Sequence, residues 1–420
     1  MYHLAGDRPI VQKYGGTSVG TVERIQNVAE RVAHQYRNGL RKVAIVVSAM
    51  SGETNKLVEL VTATNPHSSL RNYDMAVSAG EQVAVALMAA ALEKAGVPSH
   101  GFLAYQLGIM TSGLHSKARI HDIDCNNLHK CWEQGVIPVV AGFQGVTGNL
   151  EITTLGRGGS DTSAVALAVA LDAAFCEINT DVDGVFTADP RVVPAAHLVQ
   201  EMDFEVALEM ASLGSKVLHT RCVELGAKFQ MPIVVRNTFK SNDHQRTIIM
   251  SFNAQRKLEA PVVSGVTLDR NVVRLSLSQL PVRHYVIATL FEKIAATGVN
   301  VDIIVHNKSE NSDALRVGFT IGAEDLVRTQ EMLRRWSEEQ GSGMNLEAER
   351  GLAKVSVVGL GMQSHPGVAS KVFSVLESTG IGIQMISTSE IKISCVVAEA
   401  DGDRAAQALH RAFIEDEKSS

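Results

Sequence analysis

Lys13 stands two residues ahead of Gly15 and just before Gly16 in the stretch VQKYGGTSVG (residues 11–20). A strand that ends in lysine presents an ammonium at its carboxyl end, and glycines let backbone N–H groups come close to an anion. Thr17 and Ser18 add hydroxyl donors or a helix cap. The set suits phosphate, although its spacing is that of neither a P-loop nor a dinucleotide fingerprint. A lysine that merely closes a strand before a tight turn fits the same residues. In TTLGRGGSDTSA (residues 153–164), Arg157 sits between glycines, where its planar fork is free to meet a carboxylate. Ser160 and Asp161 then open an apolar helix whose N-terminus favours negative charge. SAMSGETN (residues 48–55), with Ser48 and Thr54, fits a ligand loop or a capped helix start equally. Glu81, in SAGEQV, fits either a partner for an amine or a residue turned to solvent. NTDVDGVFTADPRVVP (residues 179–194) reads as an extended polar loop holding Asp181, Asp183, Asp189 and Arg191, and its carboxylate spacing is not that of an EF-hand. One lysine for phosphates, one arginine for a carboxylate, one acid for an amine and a polar loop for a nucleotide describe phosphoryl transfer to an amino acid. That reaction depends on positioning and charge neutralisation more than on covalent chemistry.

The elements that must position these residues alternate. KVAIVVSAM and VIPVVAGF read as strands apolar on both faces, and AVALAVALDAA as a helix buried between layers. The pattern predicts an α/β sandwich with a mainly parallel sheet over residues 1–245, followed by a polar connection at 246–265. Beyond it the sequence repeats: LFEKIAATGVNVDII (residues 290–304) aligns without gaps on VFSVLESTGIGIQMI (residues 372–386). Each copy has a strand before it and another after it. This predicts two small α+β modules, over residues 266–345 and 350–416, able to pair their sheets. A dimerisation domain and a small-ligand regulatory module fit that pattern equally.

Composition narrows the class. With 420 residues and 45% hydrophobic content, two or three domains are expected. A net charge of −6 with scattered cations argues against nucleic acid or an anionic membrane as main partner. No apolar run in the sequence reads as a membrane span, and the first residues lack a signal peptide, so a cytoplasmic location is expected. The five cysteines form no CxxC pair and read as thiols. His115 and His121 fit no compact metal motif, and no protein-held metal centre is expected.

Taken in order, VQKYGGTSVG, VVSAMSGETNKL, SAGEQV, VVAGFQGVTG, TTLGRGGSDTSAVALA, TDVDGVFTADPRVVP, EMASLGSKVLH and MISTSEIKIS closely resemble the aspartate kinases. The resemblance implies an amino acid kinase fold followed by two ferredoxin-like ACT modules, through which a homodimer or higher oligomer would form. It implies ATP and Mg2+, the latter bound through the nucleotide phosphates, and L-aspartate as acceptor. By the same resemblance Lys13 is the catalytic lysine and Gly15 and Gly16 form the phosphate loop. Ser48, Thr54, Glu81, Arg157, Ser160 and Asp161 match the aspartate site, with Arg157 on the α-carboxylate and Glu81, near Asp161, on the α-amino group. Thr180, Asp181, Phe186, Arg191, Lys216 and Val217 match the nucleotide site; most members have tyrosine at the position of Phe186. The regulatory region departs from the family. A loop of the type Asp-x-Pro-Gly is replaced by Val282 to Tyr285, an effector-facing glutamine by His306, and an asparagine of the second module by Gly382. Weakened threonine and lysine inhibition is therefore expected. A same-fold kinase of another amino acid, or a non-catalytic ACT protein, are the competing readings.

Overall fold

The computed structural model describes residues 6–214, 217–240, 245–251, 262–281, 285–308, 314–340, 344–362, 365 and 367–416. Lys216 and Val282 lie outside these described residues. The chain forms two compact units, Met1–Phe186 with His197–Ala260, and Thr187–Ala196 with Pro261–Ser420.

The first unit runs β1 (Ile10–Tyr14), α1 (Val22–Arg37), β2 (Val43–Val47), α2 (Glu53–Thr64), α3 (Leu70–Val77), α4 (Ala79–Lys94), β3 (Ser99–Phe102), β4 (Met110–Thr111), β5 (Ile120–Asp122), α5 (Asn126–Glu133), β6 (Ile137–Ala141), β7 (Gln144–Val146), β8 (Ile152–Thr154), α6 (Gly159–Ala170), β9 (Cys176–Thr180), β10 (Glu201–Met202), α7 (Phe204–Ser212), α8 (Thr220–Phe229), β11 (Ile233–Asn237) and β12 (Arg246–Ile249). Eight strands make one sheet in the order β10-β12-β11-β9-β1-β2-β6-β3. From β11 to β3 neighbours are parallel, and β12 runs antiparallel to β11. β1, β2, β6 and β11 are buried along their whole length, as expected for a sheet covered on both faces. Ile25, Val28, Ala29 and Val32 of α1, three and four apart, pack one face together with Ala84, Val85, Met88 and Leu92 of α4. α6 lies against β1, β2 and β9, with α8 beside it. The chain order reverses on either side of β1, which makes the carboxyl end of this strand a topological switch point and the natural place for a ligand crevice. β12 belongs to this sheet, although it falls in the stretch read as a connection.

α3 and α4 stack through Ser78 into one 25-residue helix, Leu70–Lys94, long and apolar enough by length and composition to cross a membrane. From the sequence no membrane span is expected. Asp74 and Glu81 on this helix are buried and α4 contributes core residues, while Leu70, Met75, Val83 and Leu87 are exposed, so one face of the helix packs on the first unit and the other does not.

The second unit contains β13 (Gly265–Pro281), α9 (Val286–Ala296), β14 (Ile304–Lys308), β15 (Ala314–Ile321), α10 (Leu326–Gln340), β16 (Asn345–Val358), α11 (Val368–Ser378), β17 (Met385–Thr388), β18 (Lys392–Ala398) and α12 (Gly402–His410). Its sheet has the order β14-β15-β13-β16-β18-β17. β13 and β16 pair antiparallel along their length, with irregularities between Asp269 and Arg274. The later part of β13 also pairs with β15, and the later part of β16 with β18. The strand that completes the second module is thus the start of β13, which precedes the first module in the chain. The repeat was legible but the modules interlock, so the bounds 266–345 and 350–416 do not separate two independent sheets. Residues 187–196 also belong here. Ala188 and Val193 enter the core of the second module, Val266 N–H donates to the Thr187 carbonyl at 2.7 Å, and the Thr187 hydroxyl meets His410 Nε2 at 2.9 Å.

Candidate active site

Parallel strands bring their carboxyl ends to one edge, and in the first unit that edge collects Lys13, Ser48, Thr180 and the residues after β11. Along β1, Ile10 and Tyr14 join the core beneath α1, so alternation turns Lys13 to the opposite face. There its Nζ lies 2.6 Å from Asp161 Oδ1, in the first turn of α6, with both side chains largely enclosed. The lysine does not hang free at the sheet edge, as the sequence suggested; it is held and neutralised by Asp161. The glycine loop also differs from expectation. Gly15 N–H donates to the Asn179 carbonyl at 3.2 Å, which extends the β1–β9 ladder by one residue. This leaves the Gly16 and Thr17 N–H groups, which meet no backbone carbonyl among the described residues. A Cβ on Gly16 would lie 2.9 Å from the Ala49 carbonyl, so only glycine lets this loop approach the end of β2 so closely. Ser18 Oγ pairs with Thr238 Oγ1 at 2.7 Å and ties the loop to the chain leaving β11.

Glu81 is 3% exposed. Its Oε1 accepts from Ala49 N–H at 3.0 Å, whereas its Oε2 is buried without a hydrogen-bond partner. Burial pushes the carboxyl pKa up to about 7, against the lowering effect of the Ala49 N–H and the residue's own N–H. A residue free to face water is thus ruled out here. An orphan carboxylate oxygen in the interior is costly unless a donor arrives to meet it.

Arg157 is exposed on the loop between β8 and α6 and forms no ion pair with the described residues. Gly158 follows with a left-handed φ of +65°, and a Cβ there would fall 2.2 Å from the His219 ring. Burial lowers the pKa of His219; Asp161 opposes the shift and the charges of Arg157 and Arg221 add to it. Ser160 is buried at the start of α6. Asp161, Val217, Leu218, His219 and Thr220 border a cleft of about 310 Å3. Ser48 N–H closes the β1–β2 ladder on the Tyr14 carbonyl at 3.2 Å, and Thr54 sits half-buried in the first turn of α2.

At the end of β9, the Thr180 hydroxyl donates to Asp181 Oδ1 at 3.2 Å. Asn237 Nδ2 donates to the Asp181 carbonyl at 3.1 Å and to Asp183 Oδ1 at 2.9 Å, and Lys240 pairs with Asp183 at 2.6 Å. Phe186, half-buried, bridges to Leu198. Arg191 is in the second unit, where its guanidinium pairs with Asp189 at 2.7 Å. Asn237, Lys240 and His219 were not singled out from the sequence; their only signal is a position at or after a strand end or before a helix. Asp74 was missed as well, although an acid seven residues before Glu81 in an apolar helix was a usable sign.

In the second unit, Tyr285 is 72% exposed at the start of α9, His306 is exposed on the edge strand β14, and Gly382 is exposed with open space around it.

Residues 8–237 match the amino acid kinase family and residues 355–413 match an ACT domain. An aspartokinase of Pseudomonas aeruginosa is 46% identical over 404 residues, covering 96% of this chain and 97% of its own length. An aspartokinase of Geobacillus stearothermophilus is 45% identical with the same coverage. The crystal structure of E. coli aspartokinase III in complex with aspartate and ADP superposes with a TM-score of 0.80 at 27% identity, covering 97% of this chain and 100% of that one. With identity of this order along nearly its whole length, and with the kinase sheet and ACT modules in place, the chain belongs to the aspartokinase family.

Proposed function

We propose that this aspartokinase transfers the γ-phosphoryl group of ATP to the side-chain carboxylate of L-aspartate, giving 4-phospho-L-aspartate. The observation that carries the substrate assignment is Glu81, buried, with one oxygen fixed by Ala49 N–H and the other awaiting a donor. An α-ammonium supplies that donor and keeps the carboxylate ionised. Arg157 takes the α-carboxylate, which leaves the side-chain carboxylate to attack. Because the nucleophile is already an anion, no general base is needed, and the barrier lies in bringing two anions together. Lys13 and the N-terminus of α6 lower it. When the phosphates arrive, the Lys13 ammonium exchanges Asp161 for a non-bridging oxygen, and the Gly16 and Thr17 N–H groups complete the cradle. The nucleotide lies along Thr180, Asp181, Phe186 and Val217, with Lys216 and Arg191 assigned to it by resemblance. Asp183 is paired with Lys240, and Mg2+ would be held chiefly by the phosphates it accompanies. There it would neutralise the charge on the transferred group.

Arg157→Lys tests the assignment. A lysine cannot reproduce a two-pronged grip, so the aspartate KM should rise about tenfold or more while the ATP KM stays near its starting value. A rise confined to ATP would mean that the two sites are exchanged.

We further propose that the ACT modules serve assembly, as a homodimer or higher oligomer, more than threonine or lysine sensing. An effector amino acid must find partners for both its ammonium and its carboxylate. Tyr285 fills space where the family has glycine, Gly382 offers no side chain, and His306 replaces an amide. An effector without differential affinity for two states cannot shift them. Titration of threonine and lysine, alone and together, to millimolar concentration should leave the rate nearly unchanged. Strong inhibition by submillimolar threonine would contradict this.

A further inference from the structure

Asp74 carries a fully enclosed carboxylate that the proposed reaction does not use. Four donors meet it: Ser116 N–H at 2.9 Å, His115 Nδ1 at 2.9 Å, Thr154 N–H at 3.0 Å and the Thr154 hydroxyl at 2.6 Å. A buried carboxylate so fully matched is rigid, and what it holds is informative. Thr154 closes β8, three residues ahead of Arg157. The Thr154 carbonyl accepts from Ala118 N–H at 2.9 Å, Leu155 N–H donates to the Phe143 carbonyl at 2.9 Å, and the Leu155 carbonyl accepts from Arg221 at 2.9 Å. Every backbone polar group of Thr154 and Leu155 is engaged. Gly156 follows with a left-handed φ of +80°.

Asp74 stands on α3 and Glu81 on α4, on either side of the turn at Ser78 where the two helices meet, and both carboxylates are buried. One carboxylate of this stretch is saturated by Thr154 at the end of β8 together with His115 and Ser116; the other has an oxygen unmatched. The ammonium and α-carboxylate of an amino acid are separated by a fixed covalent span, so the groups that grip them must be held at a matching span.

We propose that Asp74 is a positioning residue for the amino acid substrate. By tying the helix Leu70–Lys94 to the end of β8, it fixes the separation between Glu81 and the root of the Arg157 loop. This rests on the assignment of Glu81 and Arg157 to the two α-groups. The nucleotide residues lie at or after the ends of β1 and β9 or just before α8, and none follows β8, so a loosened strut should affect the aspartate KM more than the ATP KM.

Asp74→Asn risks the fold, so the informative variant is Thr154→Val. It keeps the shape and the N–H but removes the hydroxyl donor; Thr154→Ser restores that donor. Folding of each variant is checked by circular dichroism and Tm. Thr154→Val is expected to raise the aspartate KM on the order of tenfold, with the ATP KM unchanged and Thr154→Ser close to the parent enzyme. In an Arg157→Ala background Thr154→Val should add little, because both act on the same grip. A lower Tm without a change in aspartate KM, or an equal rise in both KM values, would leave Asp74 a purely structural residue and overturn the proposal. If Arg157→Ala itself leaves the aspartate KM unchanged, the assignment of the substrate site is wrong, and the positioning role falls with it.

Discussion

Lys13→Ala lowers kcat on the order of a hundredfold or more, the loss expected when one fixed charge is removed from the oxygen on which charge develops. The ammonium is already in place before nucleotide binds, held 2.6 Å from Asp161 at the mouth of the α6 helix. Preorganisation is what gives such a charge its effect, because no reorganisation remains to be done as the reaction proceeds. The same pair adds a structural consequence. Removing one partner of a buried ion pair costs about 3–5 kcal/mol when the other is left fully enclosed. Asp161 borders a cleft of about 310 Å3 that water can enter, so the cost here falls below that range. The variant should therefore fold, with a lower Tm, and be nearly inactive at saturating ATP and aspartate. Steady-state kcat together with a thermal melt separates the two effects. A folded variant with near-normal kcat would remove Lys13 from the mechanism.

Glu81→Gln produces a protein more stable than the parent above neutral pH and poorer at binding aspartate. Burial raises the pKa of the Glu81 carboxyl from an ordinary 4.5 to about 7. The folded state therefore holds the proton more tightly than the unfolded state does. The stability linked to that proton is fully present below the unfolded value and is lost as pH rises through about 7. At pH 8 the ionised, half-satisfied carboxylate costs the fold roughly 3 kcal/mol at most, since a tenfold change in proton affinity corresponds to about 1.4 kcal/mol. Glutamine keeps an oxygen for Ala49 N–H and carries no charge. The Tm difference between variant and parent should be small near pH 5 and grow toward pH 8, while the aspartate KM of the variant rises. In the parent enzyme the aspartate KM should rise as pH falls below about 7, because the protonated acid no longer attracts an ammonium. A Tm difference that does not depend on pH would show that Glu81 does not titrate in this range.

The parts of this site legible in the sequence were those marked by local chemistry. Lys13 before its glycines and Asp161 at the start of an apolar helix sit in their own strand end and helix cap, which local pattern reports well. The repeat of the second unit was legible for the same reason. What was hidden depends on pairings between distant stretches. That Gly15 N–H is taken by Asn179, and that Lys13 is taken by Asp161, follows from β1 lying beside β9 and α6 lying over both. The burial of Glu81 could not be read from its alanine and valine neighbours, since an amphipathic helix places a lone acid on either face. The interlocking of the two ACT modules was invisible because the start of β13 looks like any short strand until its partner in β16 is known. Residues 187–196 read as the tail of a polar loop, yet Ala188 and Val193 complete the core of the second module.

If this edge of the sheet phosphorylates the side chain of L-aspartate, an acyl phosphate must form. The most direct measurement is formation of an acyl phosphate, trapped with hydroxylamine, in the presence of Mg-ATP and a panel of carboxylate-bearing amino acids. Aspartyl hydroxamate should form from L-aspartate in step with ADP, with little product from L-glutamate and loss of both signals in Lys13→Ala. ADP release without a trapped acyl group, or faster reaction with L-glutamate than with L-aspartate, would contradict that assignment.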